Sequence, residues 1–365
     1  MAPGAFPNET PASSDHLSGH PPEHPAALVL AGSGDAAAGD PGPMESAPAS
    51  GRQFLIEAGP YRAAVASVGA SLRELRHQGR HLVVPYAADE IRPLYRGAVL
   101  APWPNRVIDG RYRLASGQTG PAGDRVEQLA LSEPGRGHAL HGLAGWLDFT
   151  VVERRSDMVS LSQVIEPQAG YPFRIALRVT YRLDAAAGLA WEVAAQNIGP
   201  GRFGAAPYGA GPHPYLVAGP SPLDEWRLTL PARSFIAVEG DRMLPAGLRD
   251  VAGGEFDFTS GSRLGPVRID HAFGNVLWDG AHRATALLED PSGLGVALTW
   301  DQASPWVQVH TADRPEPEFN RLGLALEPMT CPPDAFNTGA DLICLPPGAS
   351  HTVSWRIRAQ SAGGR

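Results

Sequence analysis

Side chains able to exchange protons near neutral pH stand in two unusual settings. In "PYGAGPHPYL", His213 lies between two prolines after a glycine-rich approach, which leaves the backbone near its imidazole little freedom. In "RLGLALEPMT", the alternation places Leu322, Leu324 and Leu326 on one face and Arg321, Gly323, Ala325 and Glu327 on the other. Gly323 and Ala325 are small, so that second face is expected to admit a ligand closely, with Glu327 at its end beside Pro328. An imidazole and a carboxylate are side chains that suit general acid and general base roles near neutral pH. A solvated loop histidine and an exposed strand-end carboxylate are the plainer readings of the same residues.

Three further stretches carry groups that could bind or orient a ligand. "APWPNRVIDGRY" sets Asn105 and Arg106 at the end of a segment whose prolines exclude a regular helix, just before a turn at Asp109-Gly110. Arg106 is then either a rim arginine or a clamp for an anion or hydroxyl, and the clamp needs partners elsewhere in the chain. "GHALHGLAGW" spaces His138 and His141 as H-x-x-H, a weak zinc signal, because no carboxylate or cysteine follows at ligand spacing and the segment is not evidently helical. "RIDHAFGNV" carries Asp270 and His271 before an aromatic residue, where an ordinary turn is the simple reading.

The elements that must position these groups have a period of two. "RIALRVTYRL" puts Ile175, Leu177, Val179, Tyr181 and Leu183 on one face, with Arg174, Arg178 and Arg182 on the other. After "DAAAG", Leu189, Trp191 and Val193 alternate again, so the two runs predict an antiparallel hairpin. The pattern returns in "EWRLTLPAR", in "ATALLEDPSGLGVALTW" around an Asp-Pro-Ser-Gly turn, and in "WVQVHT", "RLGLALE" and "TVSWRIR". Good helical stretches are scarce, and 42 Gly and 36 Pro interrupt the chain often. The expectation is an all-β protein, a large antiparallel sandwich or barrel-like assembly with one domain over residues 51–360. Residues 1–50, rich in Pro, Ala, Gly and Ser, hold too few large apolar groups to offset their ordering entropy and are expected to be a disordered tail. Residues 361–365 are expected to be a flexible C-terminus. His16, His20 and His24 fall four apart within the tail, where the prolines argue against a helical metal site.

Composition narrows the chemistry. All 30 cationic side chains are arginine, which excludes Schiff-base catalysis and a P-loop lysine. The net charge of -8 and the lack of any basic run argue against nucleic acid as a partner. Cys331 and Cys344 are too few for a disulfide framework, though one bridge between them is conceivable. "AALVLAG" is too short, and too acidic and proline-rich upstream, for a signal peptide, and no segment approaches a membrane span. A soluble, cytoplasmic protein is the expectation; the oligomeric state is open.

Taken in order, "PWPNR", "LHG", "GPHPYL", "IDHAF" and "LALEPMTCPPDAFN" resemble motifs of the aldose 1-epimerase, or galactose mutarotase-like, family over residues 51–360. That resemblance implies a large antiparallel β-supersandwich and a reaction that interconverts the α and β anomers of an aldose. It implies His213 as the general acid toward the ring oxygen and Glu327 as the general base toward the anomeric hydroxyl. Asn105, Arg106, His141 and Asp270 would bind sugar hydroxyls. Ring opening, rotation about C1–C2 and reclosure need a base and an acid, expected on opposite sides of the ring, and neither metal nor organic cofactor.

The chain departs from the family pattern at His138, where many members carry Asn, and at Leu143, where a second glycine is common. Both changes bear on the sugar rather than the reaction. Galactose, glucose, another aldose or a hexose 6-phosphate remain candidates. Two other classes stay open: a carbohydrate-binding module that has lost turnover, against which the presence of both His213 and Glu327 argues, and a metal-dependent β-barrel enzyme using His138, His141, His213 and Glu327.

Overall fold

The computed structural model describes residues 47–114, 125–201 and 204–361. Residues 1–46 and 362–365 lie outside these, and with them nearly all of both expected terminal segments and the three tail histidines. At the N-terminal boundary the fold begins slightly earlier than residue 51. Gly51 donates to the Pro48 carbonyl, and Ser50 is buried with its hydroxyl on the Ala88 carbonyl.

Among the described residues the regular structure is strand, apart from short turns of 3-10 helix and one helical turn, Ala335–Thr338, with loops and turns between. The expected hairpin forms as Ile175–Asp184 paired with Gly188–Asn197, its turn closed by amides of Ala186 and Ala187 donating to the Asp184 carboxylate. It sits in a nine-stranded antiparallel sheet, followed by Ser350–Ser361, Leu294–Asp301 and Arg283–Glu289. Four of these strands align a buried aromatic row. Tyr181 is opposite Trp191, Trp191 opposite Trp355, and Trp355 opposite Trp300. Cross-strand aromatic pairs of this kind contribute about 0.2–1 kcal/mol each and pin the register, because a one-residue slip would turn the whole row to solvent.

A six-stranded antiparallel sheet runs in the order Tyr215–Leu216, Leu324–Met329, Trp306–His310, Asp270–Val276, Ala232–Glu239, Leu244–Asp250. A four-stranded sheet spans Gln53 to His81. All three contribute to one apolar core. The segment "EWRLTLPAR" is two strands rather than one: Arg227–Thr229 belongs to the nine-stranded sheet and Ala232–Glu239 to the six-stranded sheet, with Pro231 between them. No disulfide joins Cys331, which is buried, to Cys344, which is exposed. Among the described residues no helix is long and apolar enough to cross a membrane.

Candidate active site

Three adjacent strands of the six-stranded sheet place polar side chains together. Asp270 is opposite His310, and Gln308 is opposite Glu327, so the four lie on neighbouring strands at registered positions. Asp270 therefore begins a strand, Asp270–Val276, and not the turn expected from its sequence. Glu327 is 1% exposed, and the strand that holds it, Leu324–Met329, is buried on both faces. The alternation expected from Arg321 starts only at Leu324. Leu322 precedes the strand and is exposed, and the space beside Gly323 is taken by Val84 and the Leu216 backbone rather than left for a ligand.

His213 is held by its backbone. Its amide donates to the Ala98 carbonyl and its carbonyl accepts from Gly97, while Gly211-Pro212 pairs with Val99–Leu100. The imidazole is 4% exposed, and its Nε2 lies 3.4 Å from the Glu327 carboxyl. The second Glu327 oxygen and His213 Nδ1 have no hydrogen-bond partner among the described residues. Acid and base candidates are thus nearly in contact, which corrects the expectation of groups on opposite sides of a ring. Two oxygens bonded to one carbon, as in a hemiacetal, are what so close a pair can address together.

The other residues come from a pair of short strands, Arg106–Val107 and Ala139–Leu140. Asn105 and His141 flank them, both at positive φ, and grip each other: the His141 amide donates to the Asn105 carbonyl, and the Asn105 amide donates to His141 Nδ1 at 3.2 Å. An imidazole that accepts at Nδ1 carries its proton on Nε2, so His141 offers a donor. Gly142 lies at φ 73°, against the Ala101 carbonyl, where a Cβ has no room. The Asn105 side chain accepts from the Arg106 amide. Asp334, from the long final motif, ties this segment down, its carboxylate accepting from the Ile108 amide and its amide donating to the Arg106 carbonyl.

Arg106 is buried and is not a rim residue. Its guanidinium forks onto Glu133 at 2.7 and 3.0 Å and lies 3.7 Å from Asp270. Glu133, in the loop "SEPGRGH", also holds Arg136 at 2.6 Å. That loop is clasped to another: Arg136 donates to the Asp241 carbonyl and Arg242 to the Arg136 carbonyl. His138 belongs to this clasp and does not line the cavity. Fully buried, it accepts the Asp109 amide at Nδ1 and reaches the Arg242 carbonyl through Nε2.

A cavity of about 350 Å³ is lined by Asn105, Arg106, His141, His213, Asp270 and Glu327, the six residues given roles by the family resemblance, and by neither His138 nor His271. Reasoning from sequence missed Glu133, Gln308 and His310, and also Arg92, Tyr95, Trp146 and Arg314, which line it too. Gln308 and His310 left a trace in "WVQVH", as the polar alternates of a strand. The polar face of a strand ordinarily meets water, and nothing local marks this one as interior.

Burial governs the proton affinities. It pushes the Glu327 carboxyl well above its usual range, with the Asp270 charge adding and Arg106 opposing. Burial pushes His213 down to about 3, with His310 adding, and holds His141 well below the ordinary imidazole value, with His213 and Arg106 adding. Asp270 stays below the usual carboxylate range although burial opposes it, because His310 and Arg106 favour its charge. The site thus keeps Asp270 and Glu133 ionised beside Arg106 while disfavouring charge on Glu327 and His213.

His141, His213 and Glu327 bring ligand-type atoms within 4.8 Å of one another. The set suits a metal poorly, since His141 spends Nδ1 on the Asn105 amide and keeps a proton on Nε2.

The cavity of this all-β chain is lined by a buried carboxyl–imidazole pair, with neither lysine nor cysteine among the lining residues. The chain matches the aldose 1-epimerase family model over residues 52–358 and belongs to that family, an isomerase family. It is 38% identical over 313 residues to the uncharacterized protein YihR of Escherichia coli K12, covering 85% of this chain and 94% of that one. Its fold is galactose mutarotase-like. It superposes with a TM-score of 0.73 on the GalM/aldose epimerase homologue of C. elegans, at 19% identity and 86% and 100% coverage of the two chains. A galactose 1-epimerase of Lactobacillus acidophilus gives 0.69, at 18% identity and 85% and 94% coverage.

Proposed function

We propose that this enzyme interconverts the anomers of a free aldose, with Glu327 as general base toward the anomeric hydroxyl and His213 as general acid toward the ring oxygen. The observation that carries the reading is the 3.4 Å separation of the two groups in the lining of the cavity. Both oxygens they must serve are bonded to C1, so adjacent groups can reach them from one side. The pair needs one proton between its two members. Burial favours the neutral form, carboxylic acid beside imidazole, and the ion pair differs from it only by transfer of that proton across the short gap. A sugar hydroxyl donating to Glu327, with Arg106 near it, favours the carboxylate. Proton removal from O1 and delivery to the ring oxygen then open the ring, and reclosure on the other face of C1 exchanges the roles.

In this reading Arg106, Asn105, His141 and Asp270 hold the sugar hydroxyls, His141 through Nε2–H and Asp270 as an acceptor. A second reading, a hexose 6-phosphate as substrate, is favoured by Arg92 and Arg314. Both line the cavity, and among the described residues neither guanidinium is paired with a carboxylate. The test is anomer exchange by NMR or polarimetry across neutral aldoses and their 6-phosphates. Acceleration of the neutral sugars supports the first reading, acceleration confined to phosphorylated sugars supports the second, and binding without acceleration makes the chain a sugar-binding module.

A further inference from the structure

One part of the cavity lining is aromatic and has no place in the proton chemistry. The Tyr95 ring lies edge-on to His141 at 4.7 Å and parallel to His213 at 6.3 Å, and Trp146 lies edge-on to Tyr95 at 6.0 Å. Trp146 is the one tryptophan lining this cavity among the described residues. It is 52% exposed, whereas Trp103, Trp191, Trp226, Trp300 and Trp355 are buried.

A half-exposed indole is ordinary on a surface, but the support beneath this one is not. The Arg92 guanidinium lies 4.4 Å from the indole centroid, and Arg92 is itself only 4% exposed. Arg92 has no carboxylate partner among the described residues; it donates instead to the Gly145 carbonyl and the Ser71 hydroxyl. Burying an unpaired guanidinium is costly, and here it backs a half-exposed ring. The turn Ala144–Trp146 is anchored as well: Ala144 and Gly145 are buried, and the Ala144 amide donates to the Ala101 carbonyl at 2.9 Å. Gly69, at φ 70°, leaves the space a methyl group would take from the Gly145 carbonyl and Arg92.

We propose that Trp146 is a sugar-binding and specificity-determining residue, whose indole stacks on the C–H face of a pyranose while the polar groups of the cavity hold its hydroxyls. The epimerase reading is used only to identify the ligand as a sugar. A pyranose has faces made of ring C–H groups, and laying one on an aromatic ring removes apolar surface from water without stranding a hydroxyl. An axial hydroxyl projecting from that face would be pressed, unpaired, against the indole. The class of ligand selected is a pyranose whose C–H face is unbroken on the Trp146 side, so epimers differing in one hydroxyl are told apart here.

The experiment compares the full-length chain with Trp146→Phe and Trp146→Ala, using D-glucose, D-galactose and D-glucose 6-phosphate as probes. Anomer exchange is followed by NMR and sugar binding by tryptophan emission. For the fastest sugar, Trp146→Ala is expected to raise KM roughly three- to tenfold with kcat within about twofold, and Phe to restore most of the loss. The preference between D-glucose and D-galactose should shrink in the Ala variant. The wild-type emission change on sugar binding should vanish in Trp146→Phe. An unchanged KM in a folded Ala variant overturns the proposal, as does a loss that Phe does not rescue. If the wild type accelerates none of the three sugars, the epimerase reading fails separately. The emission titration then decides alone: a sugar-dependent change lost in Trp146→Phe supports the platform, and no change overturns it.

Discussion

Glu133→Gln tests whether Arg106 is held by the loop that sequence reasoning passed over. The carboxylate accepts two guanidinium bonds, at 2.7 and 3.0 Å, between side chains 10% and 14% exposed, and it also holds Arg136. A hydrogen bond to a charged group contributes about 1.5–3 kcal/mol, and leaving a buried charge unpaired costs more. Gln keeps one acceptor, and Asp270 remains 3.7 Å from Arg106, so the lower part of that range applies, about 1.5–2 kcal/mol. If half or more of this is felt in how Arg106 meets the sugar, kcat/KM for anomer exchange falls about three- to thirtyfold. The assay is exchange NMR with the spontaneous rate subtracted, together with a thermal melt. A double-mutant cycle with Arg106→Gln should give a coupling above about 1 kcal/mol, because the two side chains act as one. Unchanged kcat/KM and Tm in Glu133→Gln, with additive cycle energies, would refute the argument.

Arg106→Lys keeps the charge and loses the fork on Glu133, so kcat/KM should fall clearly in the same exchange assay. Prolonged chelation should leave exchange intact; stoichiometric tightly bound metal whose removal abolishes activity would contradict the donor role given to His141. Stability should fall as pH drops below about 6.5, because the unfolded chain protonates His141 and His213 there while the folded chain resists, His213 down to about 3. Glu327, whose carboxyl burial holds well above the usual carboxylate range in the folded chain, acts in the opposite sense. His213→Asn should therefore flatten the acid loss of stability between about pH 5 and 6.5 and Glu327→Gln steepen it, each by up to about 1.4 kcal/mol per pH unit in urea titrations. A chain beginning at residue 47 should keep Tm and rate, whereas one beginning at Gln53 loses the Ser50 contacts to Ala88 and Gln53 and should melt lower.

The strands of the nine-stranded sheet were legible because they obey a local rule: Ile175, Leu177, Val179, Tyr181 and Leu183 face the core, and Arg178 and Arg182 face water. The rule broke where a strand is buried on both faces, as at Leu324–Met329, and there Glu327 looked like a strand-end carboxylate. His213, Arg106 and Asp270 were found from their motifs, with Pro and Gly marking the backbone that fixes the first two. Glu133 and Trp146 left no such mark. Their placement depends on contacts between loops far apart in sequence, such as Arg136 with Asp241 and Arg92 with Gly145, which no local pattern encodes. His138 shows the converse: an H-x-x-H spacing suggested a ligand pair, but the residues between form the strand Ala139–Leu140, along which a spacing of three sends the two side chains to opposite faces, one to the clasp and one to the cavity.

Enzyme-catalysed anomer exchange in Glu327→Gln, measured by exchange NMR against wild type and His213→Asn, bears most directly on the proposed acid–base pair. The amide matches the neutral carboxyl that burial favours, so the fold and Tm should be nearly unchanged, but it cannot take the anomeric proton. The account predicts a rate loss of about 10²- to 10⁴-fold in each variant, with the double variant little worse than either. Near-normal exchange in a folded Glu327→Gln protein, or impairment of the histidine variant alone, would contradict it.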